Sequence, residues 1–211
     1  ACVGMIAAGA QVVGWDIEQQ PDYPGEFHQG DALALSVEYL REFDLVWSSP
    51  PCQAYSRSTP DKSRHPKLIE KTRDLLVQSG VPAVIENVPS APLRRDLFLC
   101  GEMFHLRVVR HRIFELHGFV ARQPAHPPHQ GACLQEFLKG NADSWYYYSP
   151  HGNALKWREC GAAMGVGHIG SCAGMGEAIP PAYACYIVGE YLRGQKQVEF
   201  DFEDCAHVNR T

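Results

Sequence analysis

Short apolar runs, each too brief for a helix, alternate along the first half of this chain with segments that repeat at helical spacing. This alternation is the tightest constraint on its fold. Gln11-Val12-Val13-Gly14-Trp15 reads as a strand ending at Asp16, Asp44 to Ser48 as a second and Pro82 to Glu86 as a third. Leu97 to Cys100 and Arg112 to Leu116 add two more. Cys2 to Ala10, Ser36 to Glu42 and Pro66 to Ser79 read as helices, the last with Leu68, Ile69, Thr72, Leu75 and Leu76 on one face. Such an order predicts an α/β domain with a mostly parallel sheet covered by helices. From about Gly118 to Gly174 the pattern dissolves into Pro, His, Gly and aromatic residues, including Tyr146-Tyr147-Tyr148. It returns at Ile179-Pro180-Pro181, where proline suits the first turn of a helix over Ala182 to Leu192.

Two motifs sit at ends of the expected strands. Pro50-Pro51-Cys52-Gln53 follows Leu45-Val46-Trp47, and Glu86-Asn87-Val88 follows Ala83-Val84-Ile85. In open α/β sheets the crevice beyond the strand ends is where ligands bind. A lone cysteine is most often a buried structural thiol, but two prolines stiffen this turn and remove backbone donors. A thiol there becomes a strong nucleophile once its pKa is lowered. A carboxylate directly after a buried strand costs free energy unless it is paired or used. The pair therefore reads as a nucleophile and an acid aimed at one substrate.

With 211 residues, 45% of them hydrophobic and 20% charged, the chain has material for one globular domain with a real core. No run is apolar enough to span a bilayer, and the start lacks a signal-peptide pattern. The eight cysteines form no CxxC pair, which favours reduced thiols and a cytoplasmic setting. The net charge of −5 does not advertise a nucleic-acid binder. Its distribution is more informative: Lys62, Arg64, Lys67, Lys71 and Arg73 follow Cys52, while Arg94, Arg95, Arg107, Arg110 and Arg112 follow Glu86. If both groups face one cleft, a phosphate backbone can lie across it; the plainer alternative is two solvated faces. Glu199, Asp201, Glu203 and Asp204 make the end of the chain acidic.

The ordered set Pro51-Cys52-Gln53 with Ser56, Glu86-Asn87-Val88, Arg110-His111-Arg112 and Gly176-Glu177-Ala178-Ile179-Pro180-Pro181 resembles the C5-cytosine DNA methyltransferases. Asp16 and Gly30-Asp31 fall where that family holds its cofactor. The spacing, with Ala91-Pro92-Leu93-Arg94-Arg95-Asp96, is most similar to small phage-type DNA methylases. The resemblance implies a Rossmann-like class I S-adenosylmethionine-dependent methyltransferase fold, with residues 1–117 as catalytic core, 118–174 as a small target-recognition insertion, 175–195 as a helix returning to the core, and 196–211 as an acidic tail. It implies a monomer acting on double-stranded DNA, and no membrane partner.

By this resemblance, Cys52 attacks C6 of a flipped cytosine, and protonated Glu86 hydrogen-bonds N3 so that charge does not build up on the ring. Arg112 holds O2, Arg110 contacts the base or the Cys52 loop, and Gln53, Ser56 and Asn87 line the substrate pocket. S-adenosylmethionine, the implied cofactor, is expected against Asp16 (ribose hydroxyls), Asp31 (adenine amino group), and Ile17, Pro51 and Leu68 (apolar contacts), with Ala32, Glu177 and Ala178 beside them. Each aspartate has a plainer role available as a cap or turn former.

The sequence departs from the family pattern at three places. The family's first strand and glycine-rich loop are expected before Ala1, Val108 stands where glutamine is usual, and Gly176-Glu177 replaces a glycine-asparagine pair. His126, His129 and Cys133, with Cys160 and Cys172 downstream, lack a standard zinc spacing, so no metal is expected. The tyrosine run either stacks on bases or packs as a strand on the core. Two other functions stay open: the same chemistry on a free pyrimidine nucleotide, and a catalytically inactive DNA-binding homologue.

Overall fold

The computed structural model describes residues 1–129, 131–150, 157–166, 172–195 and 205. Glu199, Asp201, Glu203, Asp204 and the side chain of Cys172 lie outside the described residues. In chain order the elements are α1 (Cys2–Ala7), β1 (Val13–Asp16), β2 (Glu26–Gln29), α2 (Val37–Leu40), β3 (Val46–Ser48), α3 (Ile69–Ser79) and β4 (Ala83–Asn87). They continue with β5 (Leu97–Leu99), β6 (Arg112–His117), α4 (Leu134–Leu138), α5 (Trp157–Met164), α6 (Cys172–Glu177) and α7 (Pro181–Gly194). Local chemistry sets several boundaries. The Ser36 side chain accepts from the Tyr39 amide and caps α2. Gly80, at φ 70°, takes the left-handed conformation that ends α3. Proline opens α7, where a missing N–H costs nothing.

The α/β class stands, but the sheet is less parallel than expected. β1 pairs with β2 and β3 with β4 in parallel, whereas β4–β6 and β5–β6 are antiparallel. The strands also divide into two sheets, β1-β2 and β3-β4-β6-β5. The physical reason lies in the connection from β5 to β6, which holds a 3₁₀ turn at Gly101–Phe104 and no covering helix. Without a helical crossover β6 returns antiparallel and inserts between β5 and β4.

β4 is buried throughout, and its two faces meet different layers. Ala83 and Ile85 pack with Leu40 and Leu76 of α2 and α3. Val84 joins the larger cluster of Phe114, Met164, Met175, Tyr183 and Ile187. Side chains alternate along a strand, so the register Ile85↔Glu115 and Glu86↔Phe114 sorts the polar residues as well. Glu86, Phe114 and Arg112 share the α7 face, and Glu115 takes the α3 face.

Glu115 is 1% exposed and is gripped by Arg73 of α3, with Nε–Oε1 at 2.7 Å and the second guanidinium nitrogen to Oε2 at 2.9 Å. The Arg94 amide donates to Oε2 as well, at 2.8 Å. Burial alone would raise this carboxyl, but those hydrogen bonds and the Arg73 charge hold it down at about 2. A depressed carboxylate stabilises the fold fully above its ordinary value of 4.5, and that contribution is lost as pH falls through about 2. Glu115→Gln is therefore expected to cost about 3–5 kcal/mol at neutral pH, as for a broken buried pair. Urea unfolding at pH 6 and at about pH 2 should show the wild-type advantage shrinking in acid; an equal gap at both pH values would contradict it.

α7 is buried from Pro181 to Tyr191, as expected of a helix apolar on all sides. α1 lies so close to it that a Cβ on Gly4 would stand 1.9 Å from the Pro181 carbonyl oxygen, which requires glycine there. The start of the irregular segment is bound to this core. The Tyr186 hydroxyl donates to the Arg122 carbonyl at 2.6 Å, and Arg122 pairs with buried Glu190. Of the tyrosine run, Tyr148 packs against the core, Tyr147 and Tyr148 form isolated bridges to Cys133 and Val108, and Tyr146 is exposed. Among the described residues no helix is long and apolar enough to cross a membrane. Cys2, Cys52, Cys100 and Cys133 form no disulfide, and the sulfurs of buried Cys185 and Cys205 lie 2.8 Å apart.

Candidate active site

The parallel register Ser48↔Ile85 brings the ends of β3 and β4 to one edge of the sheet. Beyond β3 the chain turns on the Cys52 carbonyl, which accepts from the Tyr55 and Ser56 amides at 2.9 and 2.8 Å. Buried Asn87 locks this turn to β4 by donating from Nδ2 to the Pro50 carbonyl at 2.8 Å. Ser90 adds a second tie, from its hydroxyl to the Tyr55 carbonyl at 2.7 Å. Asn87, expected to touch substrate, thus has a structural task in holding the cysteine turn. Ser56 likewise accepts from the Ser58 amide at 3.1 Å.

Glu86 and Arg112 share a face of neighbouring strands and form an ion pair, Nε to Oε1 at 2.9 Å, with side chains 8% and 12% exposed. Arg112 also donates to the His111 carbonyl at 2.9 Å. Cys52 is half-buried beside them. Burial pushes its thiol up, the charge of Arg112 pulls it down, Glu86 pushes it up and Arg110 pulls it down, for a net rise above the usual cysteine value. The thiol, the carboxylate and the two guanidinium groups therefore act on one another.

Arg110 differs from its expected role. It is 3% exposed, and its guanidinium donates to the Pro150 carbonyl at 2.8 Å and to the Gly176 carbonyl. The Tyr183 hydroxyl donates to its backbone carbonyl at 2.6 Å. Its two terminal guanidinium nitrogens thus brace α6 and the Pro150 segment behind the site, while its buried Nε has no hydrogen-bond partner among the described residues. Burial, then the like charge of Arg112, pushes its pKa down. Gln53 donates from Nε2 to Glu177 Oε1 at 3.2 Å, which joins the cysteine turn to the end of α6. Its buried Oε1 has no hydrogen-bond partner among the described residues.

The residues expected to hold a cofactor occupy the ends of β1 and β2 and the approaches to α3 and α6. The Gly30 amide donates to the Asp16 carbonyl at 2.8 Å and joins the two strand ends. Asp16 accepts from the Glu18 amide at 2.9 Å and from Gln20 Nε2 at 3.3 Å, while Asp31 accepts from the Leu33 amide at 2.9 Å. Both aspartates therefore also carry the plainer turn and cap roles. Ile17, next in the chain after Asp16, is 71% exposed, an apolar side chain with no core to cover. Ala32 and Pro51 are exposed, Leu68 and Ala178 half-buried.

The basic residues do not form one continuous phosphate track. Arg64 pairs with Asp61, Arg73 with Glu70 and Glu115, Arg94 with Asp96, and Arg112 with Glu86. Arg107 lies over the rings of Trp145 and Tyr146. Lys62, Lys67 and Lys71 stay exposed without an ion-pair partner among the described residues, a shorter strip beside the cysteine turn. The sequence reading missed Ser90 and Tyr183, whose hydroxyls hold the turn and Arg110; nothing in their local sequence marks them. It also misgrouped the histidines: His126 and His129 gather with Cys100 and His111, not with Cys133.

No protein-family model matches the chain, and no curated protein matches it. Among solved structures, the crystal structure of S. pombe Dnmt2 methyltransferase is similar at a TM-score of 0.38 and 16% identity, over 74% of this chain and 54% of that one. The chain spans about half the length of that structure. At this level of likeness, function is argued from the site.

Proposed function

We propose that the chain transfers a methyl group from S-adenosylmethionine to C5 of a cytosine flipped out of double-stranded DNA, with Cys52 as nucleophile. The observation that carries this reading is the meeting of a thiol, a carboxylate and a guanidinium from the ends of β3, β4 and β6. The Cys52 thiolate adds to C6 of the base, the C5–C6 double bond opens, and its electron pair gives C5 enamine character. Glu86, once protonated, would donate to N3 and Arg112 to O2, which offsets the charge on the ring, assistance that typically contributes about 10²–10⁴-fold. C5 would take the electrophilic methyl group from the sulfonium of a bound cofactor, which leaves as a neutral thioether, and loss of the C5 proton to a base then re-forms the double bond and expels Cys52. Flipping the base costs roughly a few kcal/mol.

The cofactor supplies an electrophilic methyl group when bound. Exposed Ile17, the residue after Asp16, suits a ligand with an apolar ring, and Asp16 suits its ribose hydroxyls. Ala32, Pro51, Leu68 and Ala178 would add contacts, and Glu177 would place a negative charge near the sulfonium.

Incubation with methyl-tritiated S-adenosylmethionine and, side by side, duplex DNA or dCMP tests the reading. Label in DNA, with binding that weakens steeply with salt, is the expected result. Label confined to dCMP favours the free-nucleotide reaction, and DNA binding without label favours an inactive homologue. Absence of label and of DNA binding sinks the proposal.

A further inference from the structure

The antiparallel pair β5–β6 places Leu99 across from Arg112, so Cys100 and His111 lie opposite one another just past the paired residues. The chain leaving β6 then runs along β5. Gln123 fixes it there by accepting from the Phe98 amide at 2.9 Å and donating to the Phe98 carbonyl at 2.8 Å. That path delivers His126 and His129 to the same spot, where one ligand atom from each of Cys100, His111, His126 and His129 lies within 4.8 Å of the others.

The geometry points to a tetrahedral Zn²⁺ site with these four residues as ligands. His111 Nε2 and His129 Nε2 are 3.0 Å apart. Two nitrogens each about 2.0–2.1 Å from a tetrahedral zinc would be about 3.3 Å apart, so the two imidazoles already converge on a common point. Two of the remaining ring nitrogens are held by acceptors. His129 Nδ1 meets the Glu102 carboxylate, and His126 Nδ1 meets the Pro127 carbonyl at 2.7 Å. An acceptor on Nδ1 keeps the proton there and leaves the Nε2 lone pair for a metal; this is the usual outer arrangement around zinc-bound histidine. Cys100 is fully buried and brings its sulfur to the same point as the three imidazoles.

The Phe98 ring lies 4.9 Å from His111 and 5.7 Å from His126, and Tyr147 lies 5.9 Å from His129, so aromatic rings wall the cluster. Three imidazoles and one thiolate form a borderline-soft donor set that suits zinc and leaves no open position, which marks a structural site. The metal would join β5, β6 and the segment after β6. The Cys/His spacing is irregular because its members come from a strand pairing and a returning loop.

The test uses the whole chain, expressed with zinc, freed of loose metal by gel filtration and measured by mass spectrometry. Stoichiometric zinc is expected. Replacement by Co²⁺ should give the visible bands of a tetrahedral complex together with a sulfur-to-cobalt charge-transfer band. Cys100→Ser should lose the charge-transfer band. His126→Asn, at an exposed position that does not threaten folding, should lower zinc retention. Glu102→Gln should weaken zinc by about 10–100-fold in competition with a chromophoric chelator. Wild-type protein that retains neither zinc nor cobalt, or an unchanged cobalt spectrum in Cys100→Ser, overturns the assignment. None of these readouts depends on methyl transfer.

Discussion

Cys52→Ala is expected to reduce methyl transfer by about 10⁴-fold or more, the scale seen when a covalent nucleophile is removed. The fold should survive, because the backbone carbonyl of Cys52 rather than its sulfur makes the hydrogen bonds of the turn. DNA carrying 5-fluorocytosine gives a direct readout. Fluorine at C5 cannot leave as a proton does, so the bond between Cys52 and C6 persists once the methyl group has been added. Wild-type protein with cofactor should therefore shift on a denaturing gel as a covalent adduct, and Cys52→Ala should not. An adduct in the variant would assign the nucleophile elsewhere.

The second large effect is expected from Glu86→Gln, with two readouts that move in opposite directions. Methyl transfer should fall by about 10²–10⁴-fold as the acid that assists at N3 is lost. Glu86 raises the Cys52 pKa, and Arg112 lowers it. Removing the carboxylate charge should therefore make the thiol ionise at lower pH and react faster with iodoacetamide at a given pH. In the wild type, alkylation should climb only above the ordinary cysteine range, since burial holds the thiol neutral. Thermal unfolding separates this from simple loosening of the fold: an unchanged melting temperature with faster alkylation supports the electrostatic account. An alkylation profile identical to wild type would remove Glu86 from contact with the thiol.

Much of the fold was legible because apolar strands and amphipathic helices carry their periods in the local sequence. α3 and β4 are found within a few residues of where their spacing predicts them, and α7 opens at the predicted proline. Cys52 and Glu86 were legible for a related reason, since each follows an apolar run directly. Arg112 was legible as part of a motif, but its contact with Glu86 was not. That contact depends on the register Glu86↔Phe114, which sets Arg112 on the same face. The role of the basic residues stayed open in the sequence because composition shows a charge without its partner. Arg73 meets Glu115 across 42 positions of sequence, and that ion pair removes it from any phosphate track.

The sequence by itself determined the α/β class, the strand-end positions of the thiol and the carboxylate, and the helix that closes the core. These follow from side-chain period and turn chemistry, which act over a few residues. Only the tertiary structure decided that β6 runs antiparallel between β4 and β5, that Arg110 is a buried brace, and that Cys100 shares one point with three histidines. Each of those outcomes depends on which strands exchange hydrogen bonds. That choice is made by burial and packing summed over the whole chain, and no local run of residues encodes it.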